Sequence, residues 1–268
     1  MAERYEVRGE YLRPEEIRAA RERADLAFLP LGALEWHGVH GPVGVDALKS
    51  HGVCCQAAKK LGGGVVFPPL VWGVPRDSFF VAKASSFGDT SIPMAEELGT
   101  TAERVRGFSA HGGMDPQEQW LTYQRLLRMS LEQIAGFGFR SIYICVGHNP
   151  LIHWVRPVAI AFMRASQMAE QTVTIDFGSE YDAAGLKELG DHAGRWETSL
   201  MMALAPTAVN LEAIKRKPKF EGVGTTPDAA SASTHQGETW LESCAVGIAE
   251  EARWLVENYP QLPPQRGR

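Results

Sequence analysis

Residues 29–50 read LPLGALEWHGVHGPVGVDALKS. The first part is an apolar run that predicts a buried strand, and the last part opens a helical pattern, so the stretch is a strand-to-helix unit. Between them lie Glu35, His37, His40 and Asp46, four metal-capable side chains within twelve residues. Alternate residues of a strand point to one face, so Glu35 and His37 are expected to project together at the strand's C-terminal end. Asp46 is expected to return from the following loop or helix start to meet them. A carboxylate that can bridge two ions, beside a second carboxylate and an imidazole, suits a pair of divalent metals.

Outward from this unit, strands and helices alternate. Residues 13–24 predict a surface helix with Pro14 in its first turn, followed by the strand LAFLPLG at 26–32. From Asp46 to Leu61 the pattern is helical with Leu48, Val53, Ala57 and Leu61 inward, and the glycines at 62–64 read as its cap. VVFPPLVWG, 65–73, predicts a second strand. Residues 79–113 lack a clean period and predict a long irregular segment with one short helix at 94–105, suited to a lid or a subunit contact. The longest predicted helix spans 115–136, with Trp120, Tyr123, Leu127 and Leu131 on one side.

SIYICVG, 141–147, is apolar on both faces, as a strand inside a parallel sheet must be, and His148 and Asn149 follow it, where open α/β sheets place their chemistry. A helix from about 157 to 169 and a strand TVTIDF at 172–177 come next. DHAGRWETSLMMALAP, 191–206, predicts a capped helix with His192 just before it and Glu197 in its first turn. A loop at 216–237 containing His235 and a helix at 238–259 complete the order. The expected fold is α/β, a three-layer α/β/α arrangement with a mostly parallel central sheet, forming one domain over 1–268.

Composition narrows the function. Of 268 residues 44% are hydrophobic and 22% charged, enough for a sizeable core. The net charge of -5, with Lys and Arg scattered, argues against nucleic acid and for a small polar or uncharged substrate. The four cysteines form no CxxC pair, the start of the chain has no apolar signal region, and no window approaches the roughly 18 apolar residues of a membrane span. A cytoplasmic protein with no membrane partner is expected.

The segment GALEWHGVHGPVGVD resembles the signature of the creatininase family of metal-dependent amidohydrolases. A strand ending in Gly147-His148 and the run His192-Ala-Gly-Arg-Trp-Glu-Thr-Ser199 resemble its other two motifs, in the same order. The resemblance implies a creatininase-like fold, two divalent ions, Zn²⁺ and/or Mn²⁺, and a homo-oligomer, a hexamer in that family. It further implies that Glu35, Asp46 and His148 hold one ion while His37 and Asp46 hold the other with one more carboxylate. Creatininase takes that carboxylate two residues after the Gly-His histidine, where this chain has Pro150, so Glu197 is the implied replacement. His192 is the implied general acid/base, with Glu197 beside it among the catalytic residues.

The resemblance fails after the second strand. Members carry Tyr-Gly-x-Ser-x-x-His there, whereas this chain reads Trp72-Gly73-Val74-Pro75-Arg76-Asp77-Ser78. Creatinine is therefore not the expected substrate. The residues assigned to the pocket are Trp72, Arg76, Asp77, His153 and Trp196, although burial alone would also account for Trp196. Hydrolysis of a C–N bond in a cyclic or linear amide is the first reading. Hydrolytic opening of a carbocyclic ring, as in relatives that act on diketo-inositols in inositol catabolism, is the second, because Arg76, Asp77 and His153 could bind several hydroxyls. A metal- or sugar-binding protein without turnover is the third, opposed by the presence of His192, which no metal would need.

Overall fold

The computed structural model describes residues 6–73, 91–106, 114–186, 190–216 and 227–258. Its strands are β1 (Leu26–Ala33), β2 (Val65–Val66), β3 (Leu70–Gly73), β4 (Ser141–Val146) and β5 (Thr174–Gly178). Its helices are α1 (Pro14–Arg23), α2 (Val45–Leu61), α3 (Ser91–Leu98), α4 (Ala102–Arg106), α5 (Pro116–Gly136), α6 (Ile152–Met168), α7 (Glu180–Ala183), α8 (Arg195–Leu204), α9 (Glu212–Arg216) and α10 (Thr234–Asn258). The five strands form one sheet in the order β2-β1-β4-β5, with β3 also pairing β1. Every pairing is parallel.

The alternation of each strand decides the layers. Ala27, Leu29 and Leu31 of β1 join Ile142, Ile144 and Val146 of β4 in one core, packed against Trp120, Tyr123, Leu127 and Leu131 of α5 and Val155 of α6. Leu26, Phe28, Tyr143 and Cys145 point the other way and meet Val53 and Ala57 of α2, Leu200 of α8 and Ile248 of α10. Both faces are covered, which gives the expected α/β/α layering and explains why β1 and β4 carry apolar residues throughout.

Several local expectations are corrected. The stretch 65–73 is two short strands, because Pro68 and Pro69 lack the N–H groups a continuous ladder needs. Helix α6 starts at Ile152 and contains Pro157 in its first two turns, ahead of the expected start. The region 91–106 holds two helices instead of one. His235 stands in the first turn of α10 and not in a loop. On α2 Leu48 is exposed, and the inward face is the one bearing Val45, Asp46, Lys49, Ser50, Val53 and Ala57. Arg76 and Asp77 lie outside the described residues. No helix among the described residues is long and apolar enough to cross a membrane.

Strand β1 has β2 and β3 on one side and β4 on the other, so the chain changes direction between β1 and β4. Ligands of open α/β sheets bind beyond the carboxyl ends of strands at such a point. The N-terminus of α2 lies against both strand ends there. A Cβ on Gly32 would come within 2.3 Å of the Ala47 nitrogen, and one on Gly147 within 2.1 Å of the Asp46 carbonyl oxygen. Gly147→Ala is therefore expected to destabilise the protein by about 1–3 kcal/mol through overpacking. Gly136→Ala, with nothing within 4 Å of its new methyl group, serves as the control. Urea midpoints check this, and equal midpoints for the two variants would refute the close approach.

Candidate active site

Four segments carry the site. Strand β1 ends at Ala33, so Glu35 and His37 stand in the loop beyond it and not on the strand. The Glu35 N–H donates to the Val43 carbonyl at 3.0 Å, and Gly38 takes a left-handed φ of 72°, which folds His37 back toward the sheet. Asp46 is buried in the first turn of α2, where the helix dipole favours a carboxylate. His148 stands two residues past the end of β4. Glu197 lies in the first turn of α8, whose backbone N–H groups at Trp196 and Glu197 donate to Asp191 at 2.7 and 3.2 Å.

These side chains converge. Asp46 Oδ1 is 3.3 Å from His37 Nε2, and Asp46 Oδ2 is 3.1 Å from His148 Nδ1. Glu35 Oε1 is 3.1 Å from His148 Nδ1, and Glu197 Oε2 is 3.3 Å from His37 Nε2. Glu35, Asp46 and His148 form one group with donor atoms within 4.8 Å of one another, and His37, Asp46 and Glu197 form a second. Glu35, His37 and His192 also meet that distance. His37 Nε2 and Asp46 Oδ2 are buried without a hydrogen-bond partner. Imidazole and carboxylate donors in this mixture suit Zn²⁺ or Mn²⁺, so the residues present fit a pair of divalent ions.

His192 differs from the other two histidines. Its side chain is 22% exposed, and its ring lies 4.4 Å from that of His37. Its Nε2 is 2.8 Å from the Trp36 carbonyl oxygen, which can only accept, so Nε2 carries the hydrogen. In the neutral ring Nδ1 is then the lone-pair nitrogen, 3.4 Å from Glu35 Oε1 and turned to the cluster.

The electrostatics follow from burial and proximity. Burial works to lower the His37 pKa, but the Glu197 and Asp46 carboxylates overcome it and hold the imidazole well above its ordinary value. For His148, burial is likewise overcome by Glu35 and Asp46, and the pKa is raised to about 10. Burial would raise Asp46 and Glu197, yet His37 and His148 hold Asp46, and Lys49 and His37 hold Glu197, well below the carboxylate range. Burial, then the Glu197 charge, lifts Asp191 to about 6.

Among the residues assigned to the pocket, Trp72 is 71% exposed at the end of β3, beside the end of β1. His153 is exposed on α6. Trp196 is corrected: it is fully buried and packs on Trp240 in the core, with ring centroids 4.9 Å apart, so it lines no pocket. His40 Nε2 is 3.0 Å from Thr198 Oγ1, which ties the loop after β1 to α8 next to Glu197. Sequence reading missed Lys49 and Glu180, both buried behind Glu197. The signal for Lys49 was its place three residues after Asp46, on the same helix face.

A three-layer fold with a buried carboxylate shared by two ligand groups at the sheet's switch point defines a metal-dependent hydrolase. The chain belongs to the creatininase family, whose description, "Creatininase: Creatinine amidohydrolase", matches residues 10–252. A creatinine amidohydrolase of Pseudomonas putida is 28% identical over 251 residues, covering 87% of this chain and 89% of its own length. The solved structure titled "Creatininase Mn" superposes with a TM-score of 0.70 at 26% identity, covering 94% of this chain and 99% of its own. A mutant creatininase of Zn-Zn type gives the same TM-score, identity and coverage.

Ligation needs neutral imidazoles, while the neighbouring carboxylates hold the His37 and His148 rings above their ordinary pKa. Their pKa values lie above the unfolded value near ~6.5. They therefore contribute to metal-free stability fully below that value, and the contribution fades as the pH rises through about 10 for His148. Addition of Zn²⁺ to the metal-free protein near neutral pH is expected to release a proton from each of the two rings. An indicator dye in weak buffer reads this directly, and uptake of metal with no proton release would contradict the assignment.

Proposed function

We propose that this chain hydrolyses the C–N bond of a small cyclic or polar amide other than creatinine, at a site holding two divalent ions. The observation that carries the reading is Asp46, whose two oxygens face two different ligand groups. Glu35, Asp46 and His148 would hold one ion, and His37, Asp46 and Glu197 the other. Zn²⁺ and/or Mn²⁺ are the expected ions, in keeping with the Mn and Zn-Zn forms of the relatives. When bound, such a pair supplies Lewis-acid polarisation of a carbonyl and a water acidified toward neutrality.

The chain's own residues supply positioning and proton transfer. The Trp36 carbonyl fixes the tautomer of His192, and Nδ1 is left to accept a proton on the cluster side and deliver it to the leaving nitrogen. Its partial exposure sets it on the side open to substrate, while His37 and His148 are closed off. Trp72 stands beside the end of β1 and supports a pocket wall in which the family's pattern is replaced. The ring-opening reading leans on Arg76, Asp77 and His153; the amide reading leads because the family model and the Pseudomonas putida relative are both described as creatinine amidohydrolases. We further read the protein as a cytoplasmic homo-oligomer, hexameric by family resemblance, that acts on a small molecule and not on nucleic acid or membranes.

Two variants separate the roles. Asp46→Asn is expected to lose bound metal and turnover together. His192→Gln is expected to keep its metal while kcat falls by roughly 10²- to 10⁴-fold, the range for a general acid/base. Metal analysis beside steady-state kinetics decides, and full turnover in metal-depleted Asp46→Asn protein would sink the mechanism. For the substrate, a panel of small amides, lactams and oxidised inositols is expected to show turnover among the amides and lactams. Activity confined to the inositols would favour ring opening, and two bound ions with no turnover on any compound would favour the binding reading.

A further inference from the structure

Behind the ligand groups lies a buried ion cluster that neither ligation nor proton transfer accounts for. Lys49, on the inner face of α2, is 3% exposed. Its Nζ donates to Glu197 Oε1, lies 3.0 Å from Glu180 Oε1 and 3.9 Å from Asp46 Oδ1. Glu180 is fully buried and opens α7 beyond the end of β5. The oxygens of Glu197 are thereby divided: Oε1 is drawn back to Lys49, while Oε2 accepts the Ala193 N–H at 2.7 Å and faces His37. Ala193 holds a left-handed φ of 53° to present that N–H, so the carboxylate is fixed from two sides.

A lone ammonium so near a cation site would repel the ion. Paired with the Glu180 carboxylate it forms a unit of no net charge, whose distant field is weak. Its effect is then the short-range bond that sets the Glu197 carboxylate. We propose that Lys49 and Glu180 are positioning residues, a neutral clamp that presents Glu197 as a ligand of the His37–Asp46–Glu197 group. The clamp touches the Glu35–Asp46–His148 group only through the longer contact to Asp46, so its influence is selective for one ion. This inference rests on the two-ion reading above.

The test uses the full-length protein stripped of metal and titrated with Zn²⁺ against a competing chelator. His37→Ala and His148→Ala provide reference curves for loss of either group. Lys49→Met/Glu180→Gln removes the clamp without changing net charge. One ion is expected to bind 10- to 100-fold more weakly, as when partners of metal ligands are removed, with a curve approaching that of His37→Ala. Glu180→Gln alone leaves the ammonium to draw its compensation from Glu197 and Asp46, the carboxylates of the same group, and is expected to weaken the same ion, so it decides the matter if the double variant does not fold. Unchanged affinities, or equal weakening of both ions as a mere structural brace would give, overturn the proposal. A wild-type protein that takes up fewer than two ions overturns the two-ion reading and the clamp with it. Two tight ions in the wild type and unchanged binding in the variants overturn the clamp alone.

Discussion

The site depends on how closely the first turn of α2 can approach the ends of β1 and β4. That approach exists because Gly32 and Gly147 present no Cβ to the backbone of Asp46 and Ala47. It leaves Asp46 in a slot between two strand ends, with an oxygen toward His37 and an oxygen toward His148. Loops after β1 and β4 then deliver Glu35, His37 and His148 to a carboxylate already in place, and α8 closes the cluster with Glu197. Parallel pairing matters as much, since it brings the carboxyl ends of both strands to one edge.

Gathering this charge under the surface is costly, because each ion taken from water loses several kcal/mol of solvation unless it is paired. Asp46, Glu180 and Glu197 are all buried, and Lys49 is the cation set among them. The Asp46, Glu197 and Glu35 carboxylates also face His37 and His148 and favour their protonated forms. A divalent ion held by these residues would compete with protons for the same nitrogens, which would couple its occupancy to pH and to stability. Ala193 adds local strain of about 1–3 kcal/mol by its left-handed backbone, retained where its N–H meets Glu197.

The comparisons and the geometry speak to different parts of the molecule. A TM-score of 0.70 with 94% of the chain covered describes a shared frame, and 26% identity leaves ample room for the walls around it to differ. The departure from the family pattern begins at Trp72, beside the end of β1 and so next to the ligand-bearing loop. In the proposed reading, reaction type would belong to the loop after β1 and the start of α2, and substrate choice to the segment where the family's pattern is replaced.

Layer order, the parallel sheet and the segments bearing Glu35, His37, Asp46, His148, His192 and Glu197 were legible in the amino-acid order. Doubly buried strands, helical periods and short motifs are local patterns, and local patterns survive in a linear reading. Finer features were not. The break at Pro68 and Pro69 and the early start of α6 turn on backbone hydrogen bonds that compete with propensity. On α2 Val53 and Ala57 face inward as expected, but Lys49 is buried in place of Leu48, because hydropathy favours Leu48 while the carboxylates facing that helix favour Lys49. Trp196 looked like a pocket residue from its neighbours in sequence, and only packing against Trp240 made it core. The amino-acid order by itself determined the frame, and the family resemblance it carries implied the candidate donor set. Tertiary structure alone decided that Lys49 and Glu180 stand behind Glu197, because charges distant along the chain act on one another only once folding removes the water between them.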